Sequence, residues 1–321
     1  MLVAAALVSG SWALLPQPVA AHGYEAAPTS PLAFLLTWQF ELTVMVPVLI
    51  AALVYAWAAN RVARAHPKNP VPRYRQLSWY AGLLAIVVAL ESPIGAYDTT
   101  FFSIHMIQHL ILMMVAAPLM AIGAPITLLL RVASAQTRRR VLLPILHSRP
   151  VRFISFPPVT WLIFAAVLWG THFSPIFNES LDNETVHIFE HALYVIASLL
   201  FWWPVVGADP SPWRLPHAGR ILYLFLGMPQ SAFLGLAIYS APQVLYPHYE
   251  EVVRTWGPSP LNDQAWAGAI MWLGGDMMFF VALILAVWVW LRAEEAEGVR
   301  IDAKLDRELA RQQRSEETRL P

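Results

Sequence analysis

Seven times between residues 34 and 291 the chain runs for about twenty residues with almost no charge. The approximate limits are 34–59, 77–96, 101–130, 154–172, 187–207, 220–241 and 265–291. A bilayer hydrocarbon core of about 30 Å is crossed by about 20 apolar residues of helix. Strands of that length leave backbone groups unpaired in lipid, so each run reads as a helix. The expected fold is all-α: a polytopic membrane protein with a bundle of seven transmembrane helices over 34–291. Charged residues make up only 13% of the chain, against roughly 25% in soluble domains. That excludes an ordinary soluble enzyme and a disordered scaffold. Net charge is zero, so no bulk field draws a polyanion, and no nucleic-acid partner is expected. With no cysteine, disulfides, thiolate metal sites, iron–sulfur clusters and thiol nucleophiles are excluded too.

Basic residues predict the orientation. Residues 60–76 hold Arg61, Arg64, Lys68, Arg73 and Arg75 without an acid, and 131–152 holds Arg131, Arg138, Arg139, Arg140, Arg149 and Arg152, again without one. Arg214 and Arg220 follow on the same side, and residues 292–321 add seven basic and eight acidic residues. The opposite side has Arg254 alone. The positive-inside rule then sets the C-terminus in the cytoplasm and the start of the first span outside. Leu2 to Leu15 with Val19-Ala20-Ala21 reads as a signal segment over 1–21. Cleavage there would leave His22 at the head of an outer segment, 22–33. The stretch 292–321 reads as a charged, solvated cytoplasmic tail, although Ile301, Leu305 and Leu309 recur every four residues. Pro118, Gly123 and Pro125 predict a kink or break in the third span, and Gly274 and Gly275 lie near the middle of the last.

The loops are short, so chemistry is expected within the membrane or at its outer lip. His105 and His109 stand at i and i+4 in the first turns of the third span, which sets both imidazoles on one helix face. Gln108 borders that face. His187 and His191 repeat the spacing at the outer end of the fifth span, with Glu190 between them, and His172 ends the fourth. Ionisable residues in spans are costly and are functional candidates by default. Two such pairs and a terminal histidine at one depth predict a metal site, and imidazoles with thioethers nearby (Met106 first among them) favour copper. Against this stands the ordinary reading of hydrogen-bonded structural histidines and gap-filling methionines. Glu91 and Asp98 read as solvated loop acids. Asp276 lies 11 residues or so into the last span, about 17 Å along a helix and near mid-bilayer; it needs a partner or serves as a proton-linked group.

Three segments carry a family resemblance: HMIQHLILMMVAAPLMAIGAP at 105–125, preceded by SPIGAYDTTFFSI; HIFEHALYVIASLLFWWPVVG at 187–207; and NDQAWAGAIMWLGGD at 262–276. Together they resemble the multi-spanning CtaG family of cytochrome c oxidase assembly factors, over roughly residues 33–291. The resemblance implies a bacterial-type plasma membrane protein, not an enzyme, that supports formation of the copper centre of a terminal oxidase. An oxidase subunit, the lipid bilayer and a copper donor protein would be its partners. The positions that match are His105, Gln108, His109, Glu190, His191, Asp263 and Asp276. Two other readings remain open. HIFEH has the HxxEH form of inverted zinc proteases, which would make a membrane metallohydrolase. Facing histidines could instead ligate haem for electron transfer.

Overall fold

The computed structural model describes residues 30–317, and among these every regular element is helical. The main helices are α1 (Leu42–Ala65), α2 (Arg73–Glu91), α3 (Phe102–Val132), α4 (Pro157–His172), α5 (Glu184–Val206), α6 (His217–Tyr239) and α7, which starts at Pro260 and runs to Glu317. Six helices are long and apolar enough to cross a membrane, or seven if α4 and the short helix Pro175–Asp182, bent by 68° against it, count as one span. The signal segment and His22 lie outside the described residues.

Local chemistry sets the ends. Pro157 and Pro260 open α4 and α7 at a position whose N–H has no helical partner anyway. Asn183 caps α5 by accepting from the amides of Thr185 and Val186, and Gly207 closes it in the left-handed region at φ 60°. The first span begins at Leu42, later than the apolar run from residue 34 predicts. Glu91 is the reason: its carbonyl accepts from Gln39 N at 2.8 Å and its carboxylate from Glu41 N at 2.9 Å, which holds the chain extended there.

The break expected in α3 is present and has two parts. Residues Ile111–Ala116 widen into a π turn just ahead of Pro118, whose ring would clash with a carbonyl one regular turn back. Ala124 then takes a left-handed conformation, φ 52°, and Pro125 restarts the helix. Another π turn, Ile270–Gly274, interrupts α7 just before Gly275. Beyond the last span α7 continues as one helix, Gly275–Glu317, and its side chains from Arg292 to Leu309 are exposed. Ion pairs three and four residues apart, Arg292–Glu295, Glu297–Arg300 and Lys304–Glu308, support the extension.

In the bundle α6 packs along α7, α4 along α5, and α3 lies between α2 and α5. The approach of α6 to α7 is closest at Gly235 and Gly268, where a methyl on Gly268 would fall 2.5 Å from Tyr239 N. α1 lies at the edge and buries only Tyr55, Ala58, Ala59 and Val62. Hydrogen bonds tie the arginine-bearing loops together at one end: Arg131 donates to Asn69 O, and Trp213 donates to Arg152 O at 2.7 Å. The paired histidines stand at the other end.

Candidate metal centre

Helical spacing alone sets His105 above His109 on α3 and His187 above His191 on α5. The fold then turns the two faces toward each other. His105 Nε2 and His109 Nε2 are 2.9 Å apart. Ring centres are 5.4 Å apart for His105–His187, 5.8 Å for His109–His191 and 4.2 Å for His187–His191. His172, at the end of α4, stands 6.2 Å from His109. All five sequence-predicted histidines converge.

Gln108 joins the two helices. Its Nε2 donates to Asp98 Oδ2 at 2.7 Å and to Ala89 O at 3.2 Å, while its Oε1 accepts from His191 Nε2 at 3.0 Å. Asp98 in turn lies 3.8 Å from His187 Nε2. Two groups of donor atoms fall within 4.8 Å of one another: Asp98, His187 and His191, and His105, His187 and Glu190. Asp98 is the participant that sequence reasoning placed wrongly. It is 4% exposed, not a solvated loop acid, because Tyr249 from the α6–α7 connection donates to its carbonyl at 3.0 Å and covers it. Glu91 is fully buried for its own reason, the clasp on residues 39–41.

The expected lip is a closed chamber. His105 and His109 are 0% and 1% exposed, and only His187 and His191 are half-buried. The helix Pro175–Asp182 turns back over the site and lays Phe177 at 5.0 Å from the His105 ring and 5.2 Å from His172. Tyr246 packs on Phe177 and donates to His172 O at 3.0 Å, which fastens the roof. Below, Met106, Met113, Met114 and Met271 line a small cavity of about 20 Å³ that also touches His109.

A structural role for these imidazoles would have each buried ring nitrogen paired. Not all are. His109 Nδ1 and His172 Nε2 are buried without a hydrogen-bond partner. Ser180 stands beside Glu190 but donates to Phe177 O at 2.7 Å, and neither Glu190 oxygen receives a hydrogen bond. Each such group costs about 1–3 kcal/mol unless something meets it. His105 Nε2 and His109 Nε2, at 2.9 Å, share a hydrogen bond, and the two groups of donor atoms within 4.8 Å, Asp98 with His187 and His191 and His105 with His187 and Glu190, are the ones that could hold an ion.

Other candidates fall elsewhere. Asp263 is a structural acceptor rather than a supporting group of the cluster: it takes Phe102 N at 2.8 Å, Ser103 N at 3.2 Å and Ser103 Oγ, and pairs with Arg254 at 3.2 Å. It thereby caps α3 and fixes the height of His105. Asp276 is half-buried beyond the π turn of α7, and its Oδ1 has no partner. His248 is held by Asp182 and Thr99 O at 2.8 and 2.9 Å.

Fold and site together define a polytopic helical membrane protein with a buried, histidine-rich cluster roofed at one end of its bundle. The model of the cytochrome c oxidase caa3 assembly factor family, Caa3_CtaG, matches residues 53–293, and the chain belongs to that family. Relatives include an uncharacterized protein of Mycobacterium bovis and one of Mycobacterium tuberculosis, each 31% identical over 296 residues, covering 90% of this chain and 44% of the relative. One of Mycobacterium leprae is 29% identical over 292 residues, covering 88% and 44%. This chain therefore spans less than half the length of those relatives. No solved structure matches.

Proposed function

We propose that the protein supports assembly of a terminal oxidase by holding copper, as cargo, in the histidine cluster and passing it to an oxidase subunit at the outer face of a bacterial plasma membrane. The observation that carries this reading is the convergence of donor atoms from two helices and the loop before α3, Asp98 with His187 and His191 and His105 with His187 and Glu190, each group within 4.8 Å, beside His109, whose Nδ1 is buried without a partner. The family supplies the oxidase, and the donor chemistry favours copper, since imidazole and thioether suit it and thiolate is absent. Topology supports the outer face, because the cluster lies opposite the arginine-bearing loops. Copper would enter beside the half-buried His187 and His191, the less covered side of the chamber. The role asked of the protein is binding and release, not catalysis.

The test is genetic. A deletion strain carrying His105→Ala with His109→Ala should make an oxidase depleted of copper, and excess copper in the medium should restore it in part. Normal copper content in that oxidase, with the variant present at normal level, would overturn the proposal.

One arrangement favours a second reading. Asp98, His187 and His191 form a compact three-ligand group with Glu190 adjacent, as a zinc hydrolase would need. Glu190→Gln separates the two: a hydrolase keeps its zinc and loses turnover, whereas a copper carrier has no turnover to lose. Haem gains no support, because Phe177, Tyr194 and Phe102 pack the space around the rings where a macrocycle would lie.

A further inference from the structure

At the arginine end two cavities lie side by side. The first, about 250 Å³, is an apolar groove between α5 and the α2–α3 pair, lined by Trp79, Met120 and Ile126 on one side and Ile196, Leu199 and Trp203 on the other. The second, about 370 Å³, is lined by Arg131, Arg138, Arg214 and Thr127. Ala208 and Asp209 line both, so the groove and the arginine pocket adjoin.

From Ile196 to Val206 the groove follows about 15 Å of helix, half the thickness of a bilayer core. That is the depth of one leaflet. Its wall is almost wholly apolar, with the indole rings of Trp79 and Trp203 among the lining side chains. The pocket is electrostatically positive despite its one carboxylate. Asp209 already accepts from Ile126 N at 3.0 Å and Thr127 N at 2.6 Å, the opening amides of the helix Pro125–Val132. The ion pairs among the described residues involve none of the three arginines. Guanidinium groups fork onto phosphate oxygens, and basic pockets between membrane helices favour anionic headgroups.

We infer that this composite cavity is a binding site for one anionic phospholipid of the surrounding leaflet. The phosphate sits among Arg131, Arg138 and Arg214, and an acyl chain lies along the groove. The lipid would brace the broken inner half of α3 against α5. This site is separate from the histidine chamber, and the inference does not depend on copper.

Native mass spectrometry of delipidated protein titrated with phosphatidylglycerol, phosphatidylcholine or inorganic phosphate tests it. Phosphatidylglycerol should bind at one site at least tenfold more tightly than phosphatidylcholine. The triple variant Arg131→Ala, Arg138→Ala, Arg214→Ala should weaken it on the order of 100-fold, and Ala121→Phe, which fills the groove, should weaken both lipids. Circular dichroism shows whether each variant folds; Arg131→Gln, Arg138→Gln, Arg214→Gln repeats the test if the alanine variant does not. Equal binding of the two lipids, or arginine variants that bind like the parent, would overturn the site. Inorganic phosphate binding as tightly as phosphatidylglycerol, unaffected by Ala121→Phe, would show a simple anion pocket and overturn it as well.

Discussion

At the scale of single residues the site rests on positioning. Gln108 touches both helices and Asp98, and it holds the His191 ring through Oε1. Groups that orient metal-ligating histidines are worth about 10–100-fold in affinity. Gln108→Leu should therefore weaken copper binding by that factor while leaving helicity intact, as equilibrium dialysis and circular dichroism would show. Asp263 gives the contrasting case. Its buried carboxylate holds three donors and Arg254, so Asp263→Ala should cost about 3 kcal/mol of stability, read as a lower unfolding temperature before any change in metal stoichiometry. The i, i+4 pairs made the histidines legible in the sequence, because their spacing alone places each pair on one face. Asp98 and Asp263 were not legible. What buries Asp98 comes from Tyr249, and what Asp263 accepts comes from Phe102 and Ser103, each about 150 residues or more away in the chain.

At the scale of helices the interruptions are the informative feature. Ala124 occupies a left-handed conformation, which costs an L-residue roughly 1–2 kcal/mol. Ala124→Gly should relieve part of that and raise the unfolding temperature by a few degrees, while Ala124→Val should lower it. The proline and glycine residues announced the break, but sequence could not specify that a π turn precedes it. The closing extension is longer than the short surface helix that the spacing of Ile301, Leu305 and Leu309 allows. The three- and four-residue spacing of its charges, which pairs Glu297 with Arg300 and Lys304 with Glu308, was the signal. The helix α4 was also found from its apolar run, whereas the 68° turn of Pro175–Asp182 over the histidines was not. Only a folded chain brings Phe177 to the rings it covers.

At the scale of the whole molecule, copper delivery at the outer face requires two chemically different ends, one rich in arginine and cytoplasmic, the other roofed and external. The chain has no cysteine, so single cysteines report orientation without background. Asn69→Cys should be labelled by impermeant maleimide only after the membrane is opened, and Glu250→Cys from outside intact cells; the reverse pattern would invert the proposed delivery side. The closing measurement is copper binding itself. Purified protein is dialysed to equilibrium against copper, in parallel with a variant carrying His105→Ala, His109→Ala, His187→Ala and His191→Ala. The parent should retain stoichiometric copper with nitrogen scattering in its X-ray absorption spectrum, and the folded variant none. Equal retention by both would contradict the histidine chamber as the copper site.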